Sequence, residues 1–139
     1  MADIMHYVVI NTPPGKVYEA ITTQEGLSNW WTRETTAKPE LGFINIFKFG
    51  TMFRNDLKIT RLIPDKYVEW LCLNAHEEWI GTRLSFDLEE KEGTTALRFK
   101  QAGWKEQTDF YGNCNYRWGH YMTSLKNLCE TGKGTPFEG

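Results

Sequence analysis

The aromatic side chains are the strongest functional candidates in this chain, and the function that they suit is ligand binding. The 139 residues include six Trp, six Tyr and eight Phe, so that aromatics make up 14% of the sequence. Apolar walls with a few polar tips form small-molecule pockets, but the same side chains also fill close-packed cores. The candidate cavity residues are Trp30, Trp31, Trp70, Trp79, Phe86, Phe99, Trp104, Trp118, Tyr121 and Met122.

The histidines show no metal-binding pattern. His6, His76 and His120 are widely separated, and His76-Glu77-Glu78 does not match HExxH. A catalytic zinc needs about three converging ligands with recognisable spacing. We therefore expect no metal and no cofactor, with His76 in a solvated loop and His120 on the exposed side of a helix.

Two carboxylates could serve acid–base catalysis. Glu69 lies beside Trp70, and Asp56 lies between apolar strand residues, so burial would raise either pKa. Strand alternation nevertheless places both on an outward face. We therefore name no catalytic residue. Gly132-Lys133-Gly134-Thr135 lacks the first Gly of a phosphate loop and is interpreted as a helix stop.

The element that must position the aromatic residues is a long C-terminal helix from Phe110 to Thr131. Apolar residues recur there at spacings of three and four, which places them on one helix face. Gly132 follows as a stop, since glycine takes positive φ cheaply. The predicted face contains Phe110, Cys114, Trp118, Tyr121, Leu125 and Leu128, widened by Tyr111, Met122 and Cys129.

The partner of this helix is predicted to be an antiparallel sheet. A first strand, 4–11, precedes two short helices that end near Thr22 and Trp31, the first with Thr12 as its cap. Period-two alternation with short connections then predicts a meander, and the segment 32–40 is interpreted as irregular. The meander strands are predicted at 41–49, 52–63, 67–73, 79–89 and 94–102.

Composition limits the class of protein. Sixteen basic against eighteen acidic residues give a net charge of −2, with both signs interspersed, which favours neither nucleic acid nor membrane surfaces as partners. Neither a signal peptide nor a spanning segment of about 20 apolar residues is present. We expect a cytoplasmic protein of one domain, residues 1–139, with Cys72, Cys114 and Cys129 reduced and structural.

Several segments together carry a family resemblance. They are 17–22 (VYEAIT), 27–32 (LSNWWT), 79–82 (WIGT), 94–97 (TTAL), Gly103-Trp104, the Trp118…Tyr121…Leu125-Lys126 helix and 128–134 (LCETGKG). The chain resembles the SRPBCC or START-like superfamily, in the branch similar to the C-terminal domain of the activator of heat shock protein 90 ATPase. The resemblance implies an α+β helix-grip fold, in which a curved sheet of about six strands wraps around the C-terminal helix.

The resemblance also implies an apolar cavity between helix and sheet, but the fold alone does not choose the activity. Our leading hypothesis is a non-enzymatic module that holds a small apolar or aromatic ligand. One alternative is a protein-interaction or stress-response module, with a chaperone or another protein as partner. Because no chaperone-contacting domain precedes this one, we do not expect direct stimulation of that ATPase. The other alternative is a cyclase- or hydrolase-type enzyme that uses the same cavity.

Overall fold

Seven strands and three helices make up the chain in the computed structural model, which describes residues 2–139. The predicted single domain also includes Met1, which lies outside the described residues. In chain order the elements are β1 (Ala2–Ile10), α1 (Pro14–Thr22), α2 (Gln24–Trp30), β2 (Glu34–Thr36), β3 (Ile44–Phe49), β4 (Phe53–Ile63), β5 (Tyr67–Asn74), β6 (Arg83–Lys91), β7 (Thr94–Trp104) and α3 (Asp109–Thr131).

The strands form one antiparallel sheet in the order β1-β7-β6-β5-β4-β3-β2. β2 to β7 follow each other as a meander, and β1 closes onto β7, while α1 and α2 carry the chain from one sheet edge to the other. In β3 to β6 buried residues alternate with more exposed ones, and with the buried residues of β1 and β7 they form one core with α3. The predicted α+β helix-grip fold is therefore confirmed.

The helix α3 follows its apolar pattern closely. Thr108 caps its start, where the Thr108 Oγ1 accepts a hydrogen bond from Tyr111 N at 3.1 Å. Gly132 ends it with φ of 85°, as predicted. Cys114, Trp118, Tyr121, Met122 and Leu125 are buried along one face. Ser124 is buried as well, because its hydroxyl donates to Trp30 O at 2.8 Å and ties α3 to the end of α2.

Three details of the prediction were wrong. The segment 32–40 contains β2, which at three residues is too short to show a periodicity. The strand predicted at 79–89 begins at Arg83, since Trp79 and Gly81 belong to a turn that a hydrogen bond from Thr82 N to Trp79 O closes. Thr12 does not cap α1; its hydroxyl instead donates to Cys129 O of α3 at 3.0 Å.

The contact between α1 and α2 requires a glycine. Thr23 ends α1 and caps α2, where its Oγ1 accepts from Gly26 N at 3.0 Å. A Cβ at Gly26 would lie 2.6 Å from both the Cα and the carbonyl oxygen of Ala20, closer than nonbonded atoms approach. Gly26 is therefore there for close helix packing and not for backbone flexibility.

We predict that Gly26→Ala lowers the free energy of unfolding by about 1–3 kcal/mol, since the added methyl must push α1 and α2 apart. Urea unfolding measures this change. Gly112→Ala is the matched control, because Gly112 is also helical and nothing lies within 4 Å of the point that its added methyl group would occupy. That variant should gain about 0.5–1 kcal/mol from helix propensity. Equal stability of Gly26→Ala and the wild type would contradict the close packing.

Candidate functional site

A buried hydrogen-bonded chain holds α3 on the sheet. Trp118 Nε1 donates to Gln101 Oε1 at 2.9 Å, and Gln101 Nε2 donates to Thr82 Oγ1 at 3.1 Å. Thr82 Oγ1 in turn donates to Trp79 O at 2.7 Å. Gln101 and Thr82 are fully buried inward-facing residues of the sheet side, so these bonds form away from water and fix both tryptophans.

Aromatic rings close the centre of the interior. The ring centroids of Trp118 lie 5.1 Å from Trp31 and 4.4 Å from Phe99. Phe86 lies 5.1 Å from both Phe99 and Trp70, and Trp70 stacks on Trp31 at 6.2 Å. These five rings form a closed cycle, which we call the aromatic cycle. It fills the space under the middle of α3.

An open cavity of about 370 Å³ remains beside the aromatic cycle, under the N-terminal half of α3. Its helix wall consists of Phe110, Asn113, Cys114, Arg117, Trp118 and Tyr121. Its opposite wall consists of Trp31, Phe49, Asn55, His76 and Trp79, and Met52, Phe53 and Phe137 complete the lining. Aromatic residues make up half of the helix wall and most of the opposite wall.

The predicted cavity residues divide into two groups. Trp31, Trp79, Trp118 and Tyr121 line the cavity. The other six lie outside its lining and are buried in the closed core, namely Trp30, Trp70, Phe86, Phe99, Trp104 and Met122. A ligand-binding role of any of these residues stays a prediction.

The cavity also has polar groups that the sequence patterns did not place there. His76 lies partly buried, with its ring stacked on Phe110 at 3.7 Å between centroids, and not in the solvated position predicted for it. Its Nδ1 accepts from Glu78 N at 3.1 Å, which leaves the proton of the neutral ring on Nε2. Asn55 and Arg117 line opposite walls. Strand alternation could have found Asn55, because Asn55 occupies an inward position with Leu57.

The thiols are poor nucleophiles in this structure. Burial raises the pKa of Cys114, although Trp79 Nε1 donates to its Sγ at 3.4 Å and lowers it in part. Burial likewise raises the pKa of Cys72 to about 12 and that of Cys129 to about 11. A thiol whose pKa lies well above 8.5 is protonated at neutral pH, and the thiolate is the reactive form. The structural role predicted for the cysteines agrees with these environments.

The candidate acid–base residues lie outside the cavity. Glu69 is on the outer face of the sheet, where Thr60 Oγ1 donates to it at 2.8 Å and Arg83 pairs with it at 3.2 Å. Asp56 pairs with Arg54 at 3.0 Å. Within residues 2–139 no group of three or more His, Cys, Asp or Glu side chains is arranged to hold a metal ion. No helix in the same range is long and apolar enough to cross a membrane.

Comparison with known proteins assigns the family. The model of the family described as Activator of Hsp90 ATPase homolog 1-like protein matches residues 11–130. The chain belongs to this family. The resemblance seen in the sequence is thereby confirmed, and it covers all three helices except the last residue of α3.

Solved structures extend the comparison. The Aha1 dimer from Colwellia psychrerythraea is 41% identical, with 96% of this chain and 100% of that chain covered and a TM-score of 0.88. A protein of Mesorhizobium loti is 21% identical over 91% of this chain and 96% of its own, with a TM-score of 0.82. A protein of Staphylococcus saprophyticus is 17% identical over 96% of both chains, with a TM-score of 0.80. The last two show the fold alone. No curated protein matches the sequence.

We predict that the double variant Gln101→Met/Trp118→Phe loses less free energy of unfolding than the two single variants lose in sum. Each single change leaves a buried polar partner without a hydrogen bond, at a cost of about 1–3 kcal/mol. The double variant removes both partners, so the coupling free energy should be about 1 kcal/mol by urea unfolding.

The control cycle pairs Gln101→Met with Tyr116→Phe, since Tyr116 is 80% exposed on the same helix. These two changes should be additive within about 0.5 kcal/mol. Additive effects of Gln101→Met and Trp118→Phe would show that their hydrogen bond contributes nothing to stability.

Proposed function

We propose that this protein is a binding module for a small apolar or aromatic ligand, held in the cavity between α3 and the sheet. The observation that supports the proposal is an open space of about 370 Å³ with mainly aromatic walls. Cavities of about 300–1,000 Å³ with apolar walls and few polar groups are typical ligand sites. The START-like family supports the same role. The volume suits a ligand of roughly two fused rings or a short acyl chain.

The other large depression of the surface suits such a ligand less. It measures about 830 Å³ and lies around the β4–β5 turn. Arg61, Lys66 and Arg98 line it together with Asp65 and Asp87. Charges of both signs at an exposed turn remain hydrated, and an apolar ligand would gain little there. The aromatic cavity is therefore the better candidate, although it is the smaller of the two.

Binding can be tested with a neutral fluorescent probe, N-phenyl-1-naphthylamine, and with the six indole N–H signals of the labelled protein. Trp31, Trp79 and Trp118 line the cavity, whereas Trp30, Trp70 and Trp104 do not. We predict saturable probe binding that shifts the first three indole signals more than the other three. Fluorescence enhancement without any preference among the six signals would contradict the cavity.

Two substitutions of Cys114 supply the matched control. Cys114→Leu adds bulk to the helix wall and should weaken probe binding about tenfold or more by filling the cavity. Cys114→Ala removes the sulfur without adding bulk, and its affinity should remain within about threefold of the wild type. Equal binding by both variants would place the probe elsewhere.

Protein interaction is the second candidate function, and the outer face of β1 favours it. Met5, Tyr7 and Val9 are 62%, 57% and 49% exposed on this edge strand. The Colwellia psychrerythraea relative is a dimer. The edge of β1 is partly occupied, since Tyr111 Oη donates to Asp3 O and Lys126 Nζ donates to Val9 O, so a partner would pack on the exposed apolar face. Light scattering, which measures the molar mass in solution, tests this candidate. A wild-type dimer that Tyr7→Lys converts to a monomer supports it, and a wild-type monomer counts against self-association.

The enzymatic alternative requires a titratable group in the cavity. His76 and Cys114 both line it. The raised pKa of Cys114, caused chiefly by burial, disfavours a nucleophilic thiolate. The family supports a binding or activating module, and we therefore rank an enzyme below both binding functions.

A further inference from the structure

The charge of the cavity lining is one-sided. Among the residues that line the cavity, Arg117 is a permanent cation, and neither Asp nor Glu occurs. The chain as a whole carries a net charge of −2, so this local excess of positive charge is not a property of the surface in general. A cation at the mouth of an apolar cavity favours an anionic group on the ligand.

Arg117 has no carboxylate partner among the described residues. The ion pairs found within 4.0 Å engage Arg33, Arg54, Arg83, Arg98 and Lys126 instead. The guanidinium of Arg117 makes one long hydrogen bond, from Nη2 to Tyr121 Oη at 3.4 Å, and lies 6.0 Å from the centre of the Tyr121 ring. Glu78 acts electrostatically on Cys114, and its carboxylate accepts a hydrogen bond from Thr108 Oγ1. The donors of Arg117 are therefore available.

Asn55 gives a second, independent sign of a polar ligand group. It is only 6% exposed, lies on the sheet wall of the cavity, and makes no side-chain hydrogen bond to another described residue. The polar atoms of Asn55 are still accessible from the cavity, unlike Asn45 Nδ2, Trp70 Nε1 and Trp104 Nε1, which are fully buried without a partner among residues 2–139. Asn55 can therefore offer its amide to a polar group of a ligand in the cavity.

We infer that the cavity binds an apolar or aromatic carboxylate, with the carboxylate held by Arg117 and the apolar body between the aromatic walls. This inference rests on the proposed function and names the ligand class for it. The planar guanidinium matches a carboxylate with two parallel hydrogen bonds. The Nε2–H of His76 and the amide of Asn113 add donors on the same lining.

The test compares 2-naphthoate with its neutral counterpart 2-naphthamide, which has the same ring system. Calorimetry at pH 7.5 and low salt should show that the full-length protein binds the carboxylate about tenfold more tightly, because hydrogen bonds to a charged group are the stronger ones. Arg117→Gln should abolish this preference by weakening 2-naphthoate alone. Arg117→Lys should retain part of it. The preference should shrink at about 0.5 M NaCl.

Arg61→Gln is the control for a general loss of positive charge, because Arg61 is an exposed cation outside the cavity lining. It should leave both affinities unchanged. Thermal melts should show Arg117→Gln as stable as the wild type, since Arg117 is exposed and unpaired with any carboxylate of the described residues.

The outcomes separate the two proposals. Equal binding of both compounds, or a preference that survives Arg117→Gln, overturns the carboxylate inference and leaves the binding module intact. Binding of neither compound, together with no binding of N-phenyl-1-naphthylamine, refutes the proposed function and this inference with it. A second variant, Asn55→Leu, should weaken the binding of 2-naphthoate; unchanged binding by a variant that melts like the wild type would remove Asn55 from the site.

Discussion

The hydrogen bond from Trp118 to Gln101 is the interaction on which the arrangement of helix and sheet depends. Both partners are buried. If one were absent, the other would lose its hydrogen bond to water on folding and gain no replacement. Apolar packing alone tolerates small shifts of a helix, whereas a single donor and a single acceptor do not. Together with the bonds from Ser124 Oγ to Trp30 O and from Thr12 Oγ1 to Cys129 O, this bond defines the position of α3. The position of Tyr121, one turn later, then follows from that of the helix.

The same bond explains why the interior is closed in one place and open in another. Trp118 completes the aromatic cycle on one side and stacks on Trp79 at 6.0 Å on the other. Toward the N-terminus of α3 the next inward residue is Cys114, whose small side chain contacts Trp79 but fills less space than an aromatic ring would. Asn55 lies on the opposite wall instead of a large apolar residue. At these two positions of the lining no aromatic ring fills the volume that rings fill elsewhere.

Much of this architecture could be predicted from periodicity. The stripe of α3 and the alternation of Leu84, Phe86 and Leu88 determine what must be buried, and burial determines the layers. The cavity could not be predicted in the same way, because a filled and a hollow interior use the same residue types. Trp70 and Trp79 look alike in sequence, yet Trp70 belongs to the aromatic cycle and Trp79 to the cavity wall. The two residues differ because Trp70 lies in β5, whereas Trp79 lies in the turn before β6, and periodicity does not reveal that turn.

Two polar residues of the cavity lining, Arg117 and Asn55, have no evident role in holding the fold together. Arg117 forms no ion pair and Asn55 no side-chain hydrogen bond within the described part of the chain, so neither is needed to hold the fold. Stability alone accounts for neither residue type at these two positions. Local choices that contradict the folding logic around them are expected at functional sites. In the function that we propose, the aromatic walls hold the body of the ligand, and these two polar residues bind its polar group.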